Sequence, residues 1–337
     1  MPIAPAFASQ APTTSIARRS VLRASLGAVA ASVLGTPALA SSNFPNKPIQ
    51  LQLPFPAGGM FDAVMRALAE AAAKDLGQPI VLMHRAGAGG VTGVSSLTSM
   101  GDADGYLLGV MHNSVIRWPH MNKVAWDPRT DFTYLMGLNN LTTGVAVAAD
   151  APWKTLAELL ADAKARPGQL SWGNVGAISA NRIYGERLAR ASGTKFNFIP
   201  FKGGNEQLTA VVGRHLDVYG DPGFGAMARS GKLRVLATFT EQRLAQWPNV
   251  PTLRELGHDL IVQSPFGLVA PKNMDPAVRA RLESAFQKAA QDPTYRRIVD
   301  DFDLAPWNIN GEAYRQYAVA QYEREKQMLD EIGFKPE

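Results

Sequence analysis

The chain has 337 residues, 46% hydrophobic and 19% charged, enough apolar material for two modest domains. It has no cysteine, which excludes disulfides, thiol nucleophiles and thiolate metal sites. The formal charge is +5, but Arg18, Arg19 and Arg23 lie in an export signal with no acid beside them; without those three it is +2, which gives no reason to expect nucleic acid.

Residues 17–23 read A-R-R-S-V-L-R, a twin-arginine pair, and 24–34 form an alanine-rich apolar run too short to span a bilayer. T-P-A-L-A follows, with Ala38 and Ala40 placed for signal peptidase. The expectation is a Tat-type signal over residues 1–40, cleaved near Ala40, and a mature protein in a bacterial periplasm. Beyond it, Ile49, Leu51 and Leu53 alternate with Gln50 and Gln52, which predicts a strand. P-F-P-A-G-G-M-F-D at 54–62 is a glycine turn feeding a helix over 62–76, which Gly77 can cap. A second strand is predicted at 80–83, a glycine-rich loop at 85–93 and a third strand at 106–111. A new unit begins at 145 after a turn-rich stretch. Thr155 and Glu158 make a capping box for a helix ending before Pro167-Gly168. Strands follow at 170–174, 196–201, 216–219 and 233–238, with helices between them, and the last part is helical near 276–291 and 312–332. The alternation predicts an α/β fold with mainly parallel sheets.

Two turns carry the chemistry: 54–62, and W-G-N-V-G-A-I-S-A-N at 172–181. Each follows a predicted strand and opens a helix. A helix N-terminus has unpaired N–H groups and the positive end of the dipole, so it attracts anions without a basic side chain. In open α/β sheets ligands bind at such strand-to-helix turns. Gly58 and Gly59 allow close approach of a ligand to the backbone, and Asp62 is placed to cap the helix. Two such turns across a cleft would grip a small carboxylate.

The order of several short motifs resembles the Bug family of extracytoplasmic solute receptors of tripartite tricarboxylate transporters. They are K-P-I-Q-L-Q-L-P-F-P-A-G-G at 47–59, G-Q-P-I-V-L-M-H-R-A-G-A-G-G at 77–90, D-G-Y-L-L-G at 104–109, W-D-P-R-T-D-F at 126–132 and I-P-F-K-G-G at 199–204. S-G-K-L-R-V-L-A at 230–237, P-N-V-P-T-L-R-E-L-G at 248–257 and F-G-L-V-A-P at 266–271 complete the set. The resemblance covers about residues 44–334. It implies a two-lobed, type II-like periplasmic binding protein, with one lobe over 44–143 plus 266–337 and the other over 144–265. Crossings are expected near 141–145 and 264–267. It further implies a monomer that captures a small carboxylate, an aromatic or dicarboxylic acid being favoured, and hands it to membrane subunits of a transporter.

Carried over residue by residue, the implied ligand contacts are Ala57, Gly58, Gly59, Met60, Phe61 and Asp62 in the first turn. Trp172, Gly176, Ala177, Ile178, Ser179 and Asn181 are those of the second. Asn113, Lys202, Gly203 and Asp221 complete the set; Asp221 would either read a donor group on the ligand or cap the next helix. The chain departs from the family pattern. Met60 and Phe61 stand where small hydroxyl residues are usual, Ala180 and Asn181 replace serines, Arg182 stands for a histidine, Arg117 lies near a usual asparagine, and Trp172 stands for a tyrosine. An apolar lining favours a ligand with an apolar body, an aromatic or longer aliphatic acid over citrate. Arg117 and Arg182 are candidates for a second carboxylate, since arginine pairs with carboxylates bidentately.

Enzyme readings find little support. G-A-G-G-V-T-G at 87–93 lacks dinucleotide spacing, no G-x-S-x-G elbow is present, and the five histidines show no metal-ligand spacing. No cofactor or metal is expected. A receptor that presents its ligand to a sensor kinase would need the same closing cleft and is the alternative.

Overall fold

The computed structural model describes residues 44–176 and 179–334. The signal expected at 1–40 and the candidate contacts Ala177 and Ile178 lie outside the described residues. In chain order the first elements are β1 (Ile49–Leu53), α1 (Met60–Leu76), β2 (Ile80–His84), α2 (Val91–Ser95), α3 (Leu97–Met100), β3 (Leu107–His112), α4 (Asn113–Arg117) and β4 (Phe132–Asn140). The chain then crosses to β5 (Gly144–Ala148), α5 (Leu156–Ala165), β6 (Ser171–Val175), α6 (Ala180–Ser192), β7 (Asn197–Phe201), α7 (Gly204–Val212), β8 (Val218–Tyr219), α8 (Gly225–Arg229) and β9 (Leu233–Thr238). It returns through β10 (Pro265–Pro271), α9 (Pro276–Ala289), α10 (Pro293–Asp301), β11 (Ala305–Asn310) and α11 (Gly311–Glu331).

Two sheets result, each the centre of a lobe. Lobe 1 has the order β11-β4-β10-β3-β1-β2, and lobe 2 the order β7-β6-β8-β5-β9. The βαβ units give parallel pairs, β1 with β2 and β3, and β6 with β7 and β8. The sheets are nonetheless mixed rather than mainly parallel. β10 runs antiparallel to β3 and β4, and β5 antiparallel to β8 and β9. The crossings are the cause. β4 leaves lobe 1 at the end where β10 enters, so Pro265 pairs with Asn140. β5 enters lobe 2 where β9 ends, so Gly144 pairs with Thr238.

Local signals act as their chemistry dictates. Ile49, Leu51 and Leu53 are fully buried in the lobe 1 core with Val64, Leu68 and Ala72 of α1. Gly77 ends α1 in the left-handed region at φ 72°. The Thr155 hydroxyl accepts from the Glu158 N–H at 3.2 Å, one half of the capping box, while Glu158 reaches one residue further back and accepts from the Lys154 N–H at 2.5 Å. The lobe 2 core gathers Val145, Leu159, Trp172, Ile183, Leu188 and Val218.

The crossing segments hold each other: the Leu141 N–H donates to the Ser264 carbonyl at 3.1 Å, and the Ser264 N–H to Asn140 Oδ1 at 2.7 Å. Helix α11 departs from the lobe division read from sequence. Tyr314 and Ala318 pack on lobe 1, but Met328 and Leu329, with Ile332 and Phe334, pack into the lobe 2 core. An apolar stripe long enough to reach both cores makes one helix serve both lobes.

Candidate ligand-binding site

The turn after β1 is set from within. Gly58 has φ 82°, a conformation that glycine adopts without strain. Its N–H donates to Asp62 Oδ2 at 3.1 Å. Asp62 Oδ1 takes Arg66 at 2.9 Å and His84 Nε2 at 2.9 Å. Burial works to raise the Asp62 carboxyl, but the Gly58 N–H, His84 and Arg66 outweigh it and hold it below its ordinary range. Asp62 thus braces the turn from behind, and Gly59 serves as N-cap of α1.

In lobe 2 the chain leaves β6 through Gly176, at φ 79°. Ser179 caps α6 by accepting the Arg182 N–H at 3.2 Å. A third helix start lies beside it: Gly203 is the N-cap of α7. The Gly203-Gly204 pair follows β7 as Gly58-Gly59 follows β1. These three N-termini border one cavity of about 290 Å³ between the lobes.

One wall is apolar and comes from lobe 1, with Phe55, Met60 and Phe61 beside Ala57, Gly59 and Leu141. Phe61 packs between Phe55 and Phe266, with ring centroids 4.9 Å from each. His112 lies behind Phe55, its rings 5.7 Å apart; burial lowers its pKa to about 4, so it is neutral at neutral pH. The other wall is polar and comes from lobe 2, with Ser179, Asn181, Asn205, Glu206 and Asp221. Ser264 of the crossing closes the floor.

Asp221 is the hub of the polar wall. It accepts from the Val175 N–H at 2.9 Å and from the side-chain amides of Asn181 and Gln207. Asn181 in turn accepts from the Thr143 hydroxyl at 3.2 Å, which ties the first turn of α6 to the crossing. Burial pushes the Asp221 carboxyl up to about 6, and these hydrogen bonds limit the rise.

Of the candidates read from the sequence, Ala57, Gly59, Met60, Phe61, Ser179, Asn181, Gly203 and Asp221 line this cavity. Gly58 stands at its rim, and its carbonyl accepts from Asn205 Nδ2 at 2.7 Å. Gly176 lies against Gly89, where an added Cβ would sit 3.0 Å from the Gly89 Cα.

Other candidates lie outside this lining, Asp62 behind the first turn among them. Trp172 is 0% exposed and packs in the lobe 2 core on Phe196 and Phe198, with ring centroids at 5.1 and 5.9 Å, because its side of β6 faces that core. Asn113 is buried behind the site, donating to the Gln263 carbonyl at 3.0 Å and accepting from the Tyr317 hydroxyl at 3.1 Å. Lys202 is exposed and outside the lining; only its backbone contributes, its N–H donating to Glu206 at 3.3 Å. Neither arginine lines the cavity: Arg117 pairs with Glu325 at 2.6 Å, both side chains fully buried, and Arg182 pairs with Glu186 and lies over the Phe198 ring.

Sequence reasoning missed Phe55, His112, Leu141, Asn205 and Ser264. Asn205 and Phe55 had a local signal, Asn205 just after the second glycine pair and Phe55 inside the first turn. The others reach the cavity through strand ends and crossings that only the assembled sheets define. Among the described residues, no group of three or more histidine, aspartate or glutamate side chains could hold a metal ion, and no helix is long and apolar enough to cross a membrane.

Comparison with known proteins agrees with this architecture. The profile of the tripartite tricarboxylate transporter family receptor matches residues 64–334. A Cupriavidus necator protein described as "UPF0065 protein in gbd 5'region" is 39% identical over 94% of this chain and 98% of its own length. The periplasmic binding protein BugD superposes with a TM-score of 0.82 at 25% identity, covering 87% of this chain and all of BugD. MatC of Rhodopseudomonas palustris, solved with bound malate, gives 0.79 at 25% identity, covering 85% of this chain and 100% of MatC. With its two mixed α/β lobes around a cleft and this match, the chain belongs to the TctC family, the non-enzymatic solute-binding receptors of tripartite tricarboxylate transporters to which the Bug proteins also belong.

Proposed function

We propose that this chain is a periplasmic receptor that captures a small carboxylate between its lobes and delivers it to the membrane subunits of a tripartite tricarboxylate-type transporter. One observation carries the reading. The starts of α1, α6 and α7 border one cavity and, among the described residues, no lysine or arginine lines it. Backbone amides and helix dipoles are then the anion-holding groups. The malate bound by MatC is consistent with a carboxylate in this place. The Phe55, Met60, Phe61 and Leu141 wall supports a ligand with an apolar body, aromatic or longer aliphatic.

Ligand contacts with both lobes favour the form in which the turns face each other, and only such differential contact can shift the population. The test is a thermal-shift screen of the purified protein against mono-, di- and tricarboxylates, aromatic acids included. A hit that raises the melting temperature and is recovered unchanged supports the reading. Steady conversion of the hit, followed by chromatography, would defeat it.

A further inference from the structure

Among the described residues, the charged residues that line the cavity are both acidic, Glu206 and Asp221. The two arginines considered for a second ligand carboxylate pair with other groups, Arg117 with Glu325 and Arg182 with Glu186. Asp221 is 2% exposed and lines the cavity. It takes three donors, the Val175 N–H and the amides of Asn181 and Gln207. An ionised carboxylate offers about four acceptor directions, so one is left for the cavity.

A second ligand carboxylate beside Asp221 would place two anions together in a poorly solvated space with no cation between them. A hydroxyl or ammonium there would instead fill the last acceptor direction of a charged group, the strong kind of hydrogen bond. We propose that the ligand carries one carboxylate and, apart from it, a hydrogen-bond donor that Asp221 accepts, so that the receptor selects hydroxy or amino acids over dicarboxylates and unsubstituted acids. This rests on the carboxylate-receptor reading above and narrows its ligand class.

Two matched series test it by calorimetry on the purified protein. One is benzoate, 4-hydroxybenzoate and terephthalate. The other is hexanoate, 6-hydroxyhexanoate, 6-aminohexanoate and adipate. In the series whose body fits, a donor-bearing acid should bind at least about tenfold tighter than both its unsubstituted and its dicarboxylate counterparts. In Asp221→Asn the ratio of donor-bearing to unsubstituted acid should fall to about one, whatever happens to the affinity for each. Terephthalate or adipate binding as tightly as the donor-bearing acid overturns the proposal, and so does a preference that survives in Asp221→Asn. Should that variant fail to fold, the ranking on the natural protein decides alone. Binding of no acid in either series overturns the receptor reading itself and the narrower proposal with it, a result distinct from a wrong ranking.

Discussion

Asn205 and Gly58 meet across the cleft: the carboxamide at the start of α7 donates to the carbonyl of the first glycine turn at 2.7 Å. This hydrogen bond joins lobe 2 directly to the turn that opens α1, at the rim of the cavity. It exists only while the lobes are together, so its free energy belongs to closure and not to the folding of either lobe.

Asn205→Ala should therefore weaken ligand binding with little effect on stability. A net contribution of about 1 kcal/mol predicts a roughly three- to tenfold loss of affinity. Asn205 is exposed, so no core packing is disturbed. Calorimetry with the best ligand from the screen, beside a melting curve, separates the two effects. Unchanged affinity would show that the contact is incidental to closure.

Gly59→Val tests the first turn as an anion site. A Cβ at Gly59 would meet nothing nearer than the Pro56 carbonyl, 3.9 Å away, so the substitution is compatible with the fold. Its bulk would enter the space beside the first amides of α1. Binding should fall at least tenfold at near-normal stability, by the cost of displacing a ligand from backbone contact. Normal binding would mean that the turn only shapes the lobe.

Much of this site was legible because local rules decided it. The period-2 pattern of Ile49, Leu51 and Leu53 followed by a glycine pair identified the first turn. The second turn was found in the same way, though Ser179 was read as a ligand contact and not as the cap of α6 that it is. Trp172 misled because β6 is covered on both faces, so bulk beside a turn did not reveal which face met ligand. Arg117 misled because its partner, Glu325, lies 208 positions away on a helix that serves both lobes. The antiparallel strands were equally hidden, since β5 and β10 take their direction from the crossings and not from a βαβ unit. All three are decided by tertiary arrangement, which no window of sequence contains.

Asp221 predicts a pH dependence of unusual sign. Its folded pKa of about 6 lies above the ordinary value of 3.8, so the folded state holds the proton more tightly than the unfolded chain. Its contribution to stability is then full below about pH 4 and is lost as pH rises through about 6. Asp62 acts in the opposite direction: its lowered pKa stabilises the fold above the ordinary value and ceases to do so in acid. Urea unfolding of the natural protein and Asp221→Asn at about pH 4.5 and pH 7 isolates the Asp221 effect, because the other groups are common to both. The natural protein should lose on the order of 1–3 kcal/mol relative to the variant over that interval. A difference that stays constant with pH would show that Asp221 titrates as an ordinary aspartate.

The Arg117–Glu325 pair joins α4 to α11 in a fully buried setting. Glu325 also accepts from Gln321 at 2.9 Å. Glu325→Ala should leave a buried guanidinium without its anion and cost about 3–5 kcal/mol by urea unfolding. Replacing both partners by apolar residues, as Arg117→Met with Glu325→Leu, should recover most of that loss. A loss for Glu325→Ala below about 1 kcal/mol would place the pair with surface bridges and show that α11 docks through its apolar residues alone.

Phe61, like Phe55 of the same turn, lines the cavity, and it packs on Phe55 and Phe266. With only 7% of its surface exposed, truncation to alanine would confound ligand contact with core damage. Phe61→Leu keeps most of the volume and removes the ring. Aromatic pairing is worth about 0.5–1.5 kcal/mol beyond area burial. A ligand with a ring against this wall should therefore lose roughly three- to tenfold in affinity. Succinate has no body to fill the space and should change less. Calorimetry with a bound aromatic acid and with succinate on the same variant gives both numbers. Equal losses for the two, or none for either while the fold is intact, would make Phe61 a core residue of lobe 1 and remove the reason to prefer an aromatic ligand.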